Sequence, residues 1–251
     1  MTFRVYLAGS IAVEGDDAVV RDSAFGGHQL RLLFAYLVCA DGRPVPKAEL
    51  AELLWPDGPP QSWEVSLAAL VSKLRSLLAK SAVPRDAIDG ALGAYHFRLP
   101  ADSWVDVAAV GANVYQAEGA MLRGEPRQAL PHALIASAIS RRVFLPEDSG
   151  AWVERKREEL TEQRVRALEL LAQALLADGD HARAASAATD VLDLDPYRET
   201  GHQLLMKAHA AAGNRAEALR AYERCRRLLA EELGVDPSPA TEQVYLDILR
   251  S

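Results

Sequence analysis

A 34-residue period runs through the second half of the chain and leaves few folds open to it. Gly179-Asp180 and Gly213-Asn214 stand one period apart. So do Leu171 and Leu205, Ala174 and Ala208, Ala184 and Ala218, and Ala188 and Tyr222. Small residues at that spacing let the two helices of a repeat pack closely, and the period is that of tetratricopeptide helix pairs. Asp195-Pro196 closes the first of these repeats and opens the next. A weaker third copy, Gly124, Ala129 and Ala133, lies 55 residues ahead of Gly179, Ala184 and Ala188. The excess over the period predicts an inserted helix within Trp152 to Leu176. Such repeats stack into a superhelix whose concave face grips a protein segment.

The first hundred residues have a different character. Phe3, Val5 and Leu7 alternate with Arg4 and Tyr6. Ile11-Ala12-Val13 and Ala18-Val19-Val20 follow across turn signals at Gly9-Ser10 and Gly15-Asp16-Asp17, so three short strands are expected. From His28 to Ala40 the period becomes helical, with Leu30, Leu33, Phe34, Leu37 and Val38 on one face. Asp41-Gly42-Arg43-Pro44 stops that helix. A short helix, Lys47 to Leu54, presents Leu50, Leu53 and Leu54. The run Trp55-Pro56-Asp57-Gly58-Pro59-Pro60 must be a rigid loop. Ser62 caps a helix reaching about Lys80, and Ile88 to Leu99 reads as a hairpin.

A small sheet, three helices and a hairpin is the order of a winged helix. The third helix then takes the recognition position and the hairpin is the wing. Pro100-Ala101-Asp102-Ser103 is the expected boundary. The fold class is therefore mainly α: an α+β winged-helix domain over 1–100, then an all-α tetratricopeptide-like domain over 101–251.

Composition narrows the function. The chain has 251 residues, 49% of them hydrophobic, and a net charge of −7. Most of that negative charge lies beyond residue 100, which argues against indiscriminate nucleic-acid binding through bulk charge. No stretch reaches eighteen apolar residues and the start resembles no secretory signal, so no membrane partner is expected and a cytoplasmic location is. Cys39 and Cys225 lie far apart, each in a helical pattern, as in a protein kept reduced. The six histidines form no metal-ligand spacing, and no phosphate-cradling glycine loop is present. Neither an enzyme nor a cofactor is expected. The basic runs Arg155-Lys156-Arg157 and Arg224, Arg226, Arg227 are interspersed with glutamates and read as solvated helix faces.

Several runs carry a closer resemblance. They are Gly42-Arg43-Pro44-Val45, Ala51-Glu52-Leu53-Leu54-Trp55-Pro56-Asp57-Gly58-Pro59-Pro60, Val71-Ser72-Lys73-Leu74-Arg75, Ala212-Gly213-Asn214-Arg215-Ala216-Glu217-Ala218-Leu219 and Glu232-Leu233-Gly234-Val235-Asp236-Pro237-Ser238-Pro239. With them the chain resembles the Streptomyces antibiotic regulatory protein group, in which a response-regulator-like winged helix precedes a bacterial transcriptional activation domain. The resemblance implies a cytoplasmic bacterial activator. Its partners would be promoter DNA bearing direct repeats, RNA polymerase and its sigma subunit, with a homodimer possible on DNA. No receiver domain precedes the winged helix in this sequence, so control by phosphotransfer to the chain is not expected. In the family the loop before the recognition helix faces the polymerase, which assigns that contact to Asp57, Gly58 and Gln61, with Trp55 holding the loop base in the core.

The recognition helix departs from the family pattern. With Leu67, Leu70, Val71, Leu74 and Leu78 as the buried stripe, the opposite arc holds Val65, Ala69, Ser72 and Ser76, flanked by Ser62, Lys73 and Lys80. Family members carry Arg, His or other long polar side chains there. Candidate DNA contacts on this helix are Ser62, Ser66, Ala69, Ser72, Lys73, Ser76 and Lys80, with Arg43, Lys47 and Arg98 reaching the backbone. Arg75 reads as a structural ion pair with an acidic neighbour. The wing tip, Gly90-Ala91-Leu92-Gly93-Ala94, has no basic residue. The alternative function is a protein-interaction module whose winged helix has lost autonomous DNA binding.

Overall fold

Strand alternation at the start of the chain becomes β1 (Arg4–Tyr6), β2 (Ala12–Glu14) and β3 (Val19–Arg21). Val5 faces Val13 and Val13 faces Val20 in an antiparallel ladder that buries these three valines. The computed structural model describes residues 3–15 and 18–250. Asp16 and Asp17 of the expected turn lie outside the described residues. Gly15 is required where it stands, because a Cβ there would fall 2.2 Å from the Ser81 carbonyl oxygen.

Next come α1 (His28–Cys39), β4 (Val45–Pro46), α2 (Lys47–Leu54), α3 (Trp63–Leu78), β5 (Ile88–Ala91), β6 (Ala94–Phe97) and β7 (Trp104–Val105). The five apolar positions expected on one face of α1 are buried, and so are Leu32 and Ala35, so this helix is enclosed on more than one side. In α2, Leu50, Ala51 and Leu54 are buried and Leu53 only half so. β4, β6 and β5 form the antiparallel wing sheet. Its hairpin turns at Leu92 (φ +51°) and Gly93 (φ +78°), as a two-residue turn matched to the strand twist requires. This is a winged helix.

The chain does not leave the first unit at residue 100. β7 pairs parallel to β1, with Trp104 beside Arg4 and Val105 beside Val5. Asp106 then accepts the backbone N–H groups of Leu7 and Ala8 at 2.9–3.0 Å. The compact unit comprises Met1–Ala109 together with Arg142–Glu158. That second segment is tied in by backbone bonds from Gly9 to Val143 and from Leu145 to Leu7. Trp152 packs on Tyr36 and Phe144, with ring centroids 4.8 and 5.6 Å apart. Arg157, expected on a solvated face, instead donates to the carbonyls of Phe144, Leu145 and Asp148. The irregular 144–148 backbone turns these carbonyls toward the guanidinium, and that of Leu145 also accepts the Asp148 N–H at 3.0 Å.

The other unit, Val110–Arg141 with Glu159–Ser251, is built on α4 (Asp106–Leu122), α5 (Pro126–Ser140), α6 (Ala151–Asp178), α7 (His181–Leu194), α8 (Glu199–Ala211), α9 (Arg215–Leu228) and α10 (Pro239–Arg250). The three glycines of the repeat close three helix hairpins: Gly124, Gly179 and Gly213, all at φ between +72° and +86°, where a side chain would be strained. Ala117, Ala129, Ala133, Ala174, Ala184, Ala188, Ala208 and Ala218 are buried in one core cluster. A Cβ on Gly201 would meet Val191 and Leu192 side chains at 2.9 Å, so α7 and α8 pack closely there. This is a tetratricopeptide-like repeat. The inserted helix expected within Trp152 to Leu176 is not a separate element: that stretch lies inside α6, one helix from Ala151 to Asp178, and most of the excess spacing is the Arg142–Glu158 segment, whose end forms the start of α6.

The Glu-Leu-Gly-Val-Asp-Pro run ends the repeat. Leu229–Leu233 form a π-turn closed by Gly234 at φ +69°. Ser238 then donates its N–H and hydroxyl to Glu199 at 2.8 Å each, which anchors the start of α10 to α8.

Candidate nucleic-acid interface

Helix α3 is held from behind and open in front. Leu67, Val71, Leu74, Leu77 and Leu78 are buried, whereas Leu70 of the expected stripe is half-buried. Leu77 takes its place because the inner face is wider than a two-residue seam. Arg75 fixes the helix to the wing, donating from Nε and Nη2 to the Ile88 carbonyl at 3.0 and 2.8 Å. Its role is structural, but the partner is backbone and not an acid.

The outward arc is as short as the sequence implied. Val65, Ala69, Ser72 and Ser76 are all exposed, Val65 at 72%, with Ala68 exposed at the edge. Lys73 and Lys80 flank the arc, exposed and with no ion pair among the described residues. Ser62 sits at the N-cap position, but its side chain makes no capping bond. Ser66 is half-buried and its hydroxyl donates to the Ser62 carbonyl at 3.3 Å, so it is turned off the arc.

The other cations divide. Arg43 pairs with Glu49 at 2.6 Å. Glu49 also accepts from the Tyr36 hydroxyl, and its carboxyl is held below the usual carboxylate range, chiefly by the Arg43 hydrogen bond. The Arg43 charge is therefore already engaged. Lys47 is half-buried, with Nζ 6.0 Å over the Tyr95 ring. Arg98 is exposed beside the wing.

Between α2 and α3 the loop is stiff and open. Pro56 to Ser62 are all exposed, Asp57, Gly58 and Gln61 among them. Gly58 adopts φ +111°, and its N–H donates to the Trp55 carbonyl at 3.0 Å. Trp55 is half-buried and not a core residue, because the proline run that follows carries the chain outward at once. Sequence reasoning overlooked Leu92. It projects from the wing tip fully exposed in a left-handed conformation, and the Leu92-Gly93 pair was the available turn signal.

The family of the bacterial transcriptional activator domain matches residues 105–249. The chain belongs to that family, within the Streptomyces antibiotic regulatory protein group. Regulatory protein AfsR of Streptomyces coelicolor is 32% identical over 228 residues, covering 91% of this chain and 22% of AfsR. Transcriptional regulatory protein EmbR of Mycobacterium tuberculosis is 31% identical over 228 residues, covering 90% of this chain and 58% of EmbR. A solved structure of Mycobacterium tuberculosis EmbR in complex with a low affinity phosphopeptide superposes with a TM-score of 0.90 at 27% identity. It covers 99% of this chain and 65% of that one. The chain thus spans less than two thirds of each. These relatives carry regulatory names and not enzyme names. Among the described residues no helix is long and apolar enough to cross a membrane, and no group of His, Cys, Asp and Glu could hold a metal ion.

Proposed function

We propose that this chain is a transcription activator that binds double-stranded promoter DNA by laying α3 in the major groove and recruits RNA polymerase through the loop before it. One observation carries the reading: α3 exposes an unobstructed arc, flanked by two unpaired lysines, on a helix fixed from behind by the winged-helix core. An exposed helix with cations at its flanks suits phosphate positioning with the arc against base edges. Ser62, Ala69, Ser72 and Ser76 lie at the bases, and Lys47, Lys73, Lys80 and Arg98 reach phosphates. Arg43, tied to Glu49, and Ser66, bonded to its own helix, contribute less. Asp57, Gly58 and Gln61 take the polymerase or its sigma subunit. Direct repeats would seat neighbouring copies on one face of the duplex.

The test is a footprint and gel-shift titration on the DNA upstream of neighbouring genes. With about four phosphate contacts, log K should fall against log salt with a slope of about −4. Lys73→Ala and Lys80→Ala should each reduce that slope by about 1 and weaken all sequences alike. The second reading, a winged helix kept as a scaffold, draws on the short arc. It requires that no duplex be protected.

A further inference from the structure

We infer that α3 selects thymine, through Val65 and Ala69 packed on the 5-methyl groups that line the major groove. The inference rests on the DNA-binding reading above and names what that arc recognises.

The argument is one of complementarity. The arc of Val65, Ala68, Ala69, Ser72 and Ser76 is exposed and contains no Arg, Lys, Asn or Gln. It therefore has no bidentate partner for guanine or adenine, the pairings on which hydrogen-bonded readout depends. It offers methyl groups instead, and thymine alone among the four bases presents a methyl group in that groove. Val65 stands in the first turn of α3, the end of a recognition helix that meets base edges, and leaves 72% of its surface to water. As a β-branched residue on a helix it holds one rotamer, so its methyl groups are presented without further ordering. Ala69 lies one turn along the same arc. Short side chains let the helix backbone approach the base edges closely, and Ser72 and Ser76 supply hydroxyls that any base edge satisfies. Lys73 and Lys80, at the flanks, hold the helix at that depth from the phosphates.

The experiment selects tight-binding duplexes from a randomised pool with the full chain, then replaces each thymine of a selected site by deoxyuridine, which removes only the methyl group. Expected is a loss of about fourfold at one or two positions, the worth of one buried methyl, with the salt slope unchanged. Val65→Ala should cost a similar factor on the thymine duplex and abolish the deoxyuridine effect at one of those positions, while its melting temperature stays that of the parent because the side chain is exposed. Binding within twofold for every deoxyuridine duplex overturns the inference and leaves DNA binding standing. A deoxyuridine loss that persists undiminished in both Val65→Ala and Ala69→Gly overturns it as well. A pool from which no duplex is enriched overturns the inference and the DNA-binding reading together.

Discussion

The carboxylate of Asp148 takes two hydrogen bonds from the guanidinium of Arg31, at 3.0 and 3.1 Å, across 117 residues of sequence. Asp148 is buried, and His28 Nδ1 stands 2.6 Å from its Oδ1, the oxygen that also accepts from Arg31 Nη2. The pair pins the returning segment to the first turn of α1. Asp148→Ala should destabilise the winged-helix unit by about 1–3 kcal/mol, since it takes both hydrogen bonds from a guanidinium that is only 15% exposed and leaves it Asp22 and Glu147 at 3.9 Å. Urea unfolding followed by Trp fluorescence measures this. A loss under 0.5 kcal/mol would show that the backbone bonds to Leu7 and Gly9 and the packing of Phe144 and Trp152 hold the segment without this ion pair.

This contact also marks how far the sequence could be read. Strand alternation around Val5 and Val13 and the helical stripe from Leu30 to Val38 announced their elements, because burial on one face leaves a period. The glycines at 124, 179 and 213 announced the hairpins, because a left-handed turn leaves few residue choices. The return of Arg142–Glu158 leaves no period. Its partners are the backbone of Leu7 and Gly9 and the charge of Arg31, and a pairing over a hundred residues apart has no local signature. Arg157 looked solvated for the same reason, since a guanidinium that binds carbonyls reads like one that binds water. At the candidate interface the short arc was legible from spacing alone. The engagement of Arg43 by Glu49, and of Ser66 by its own helix, was not.

Leu92 is held at φ +51° at the wing tip, where its side chain touches nothing that compensates. A left-handed conformation costs a leucine about 1 kcal/mol more than it costs asparagine or glycine. Leu92→Asn should therefore raise the stability of the winged-helix unit by about 0.5–1 kcal/mol, and Leu92→Val should lower it. Urea midpoints of the two variants decide the matter. A destabilised Leu92→Asn would mean that the apolar tip packs on something in solution.

Glu169 links α6 to the start of α8. Burial alone would push its carboxyl up, but hydrogen bonds from Arg198 (3.0 Å) and the Thr200 hydroxyl, with the charges of Arg198 and Arg166, outweigh it and hold it below the usual range. The folded value lies below the unfolded one, so the stabilisation is complete above the unfolded value and is lost as pH falls through the folded value. Glu169→Gln should cost the repeat unit about 2–3 kcal/mol at pH 7. The gap to the parent should close progressively as pH is lowered below about 4. Helical ellipticity melts at pH 7, 5, 4 and 3 measure it. A gap that stays constant with pH would mean that the charge on Glu169 contributes nothing.

The loop from Trp55 to Ser62 is built to present a surface and not to move. Pro56, Pro59 and Pro60 fix three φ angles, and Gly58 and Trp63 close local bonds to the Trp55 and Pro60 carbonyls at 3.0 and 2.9 Å. Its residues from Pro56 onward are exposed, and the three fixed φ angles leave less backbone entropy to be lost when a partner binds. Asp57 and Gln61 are exposed polar groups of this loop. Replacing both by Ala removes no buried contact and should leave the melting temperature and the DNA footprint unchanged. Transcription from a bound promoter, reconstituted with RNA polymerase and sigma, should fall at least fivefold if these side chains form the contact, since two interface hydrogen bonds are together worth about 1–3 kcal/mol. Full transcription by the double variant would take the loop out of activation. Weakened DNA binding would instead make the loop a connector that sets the angle of α3.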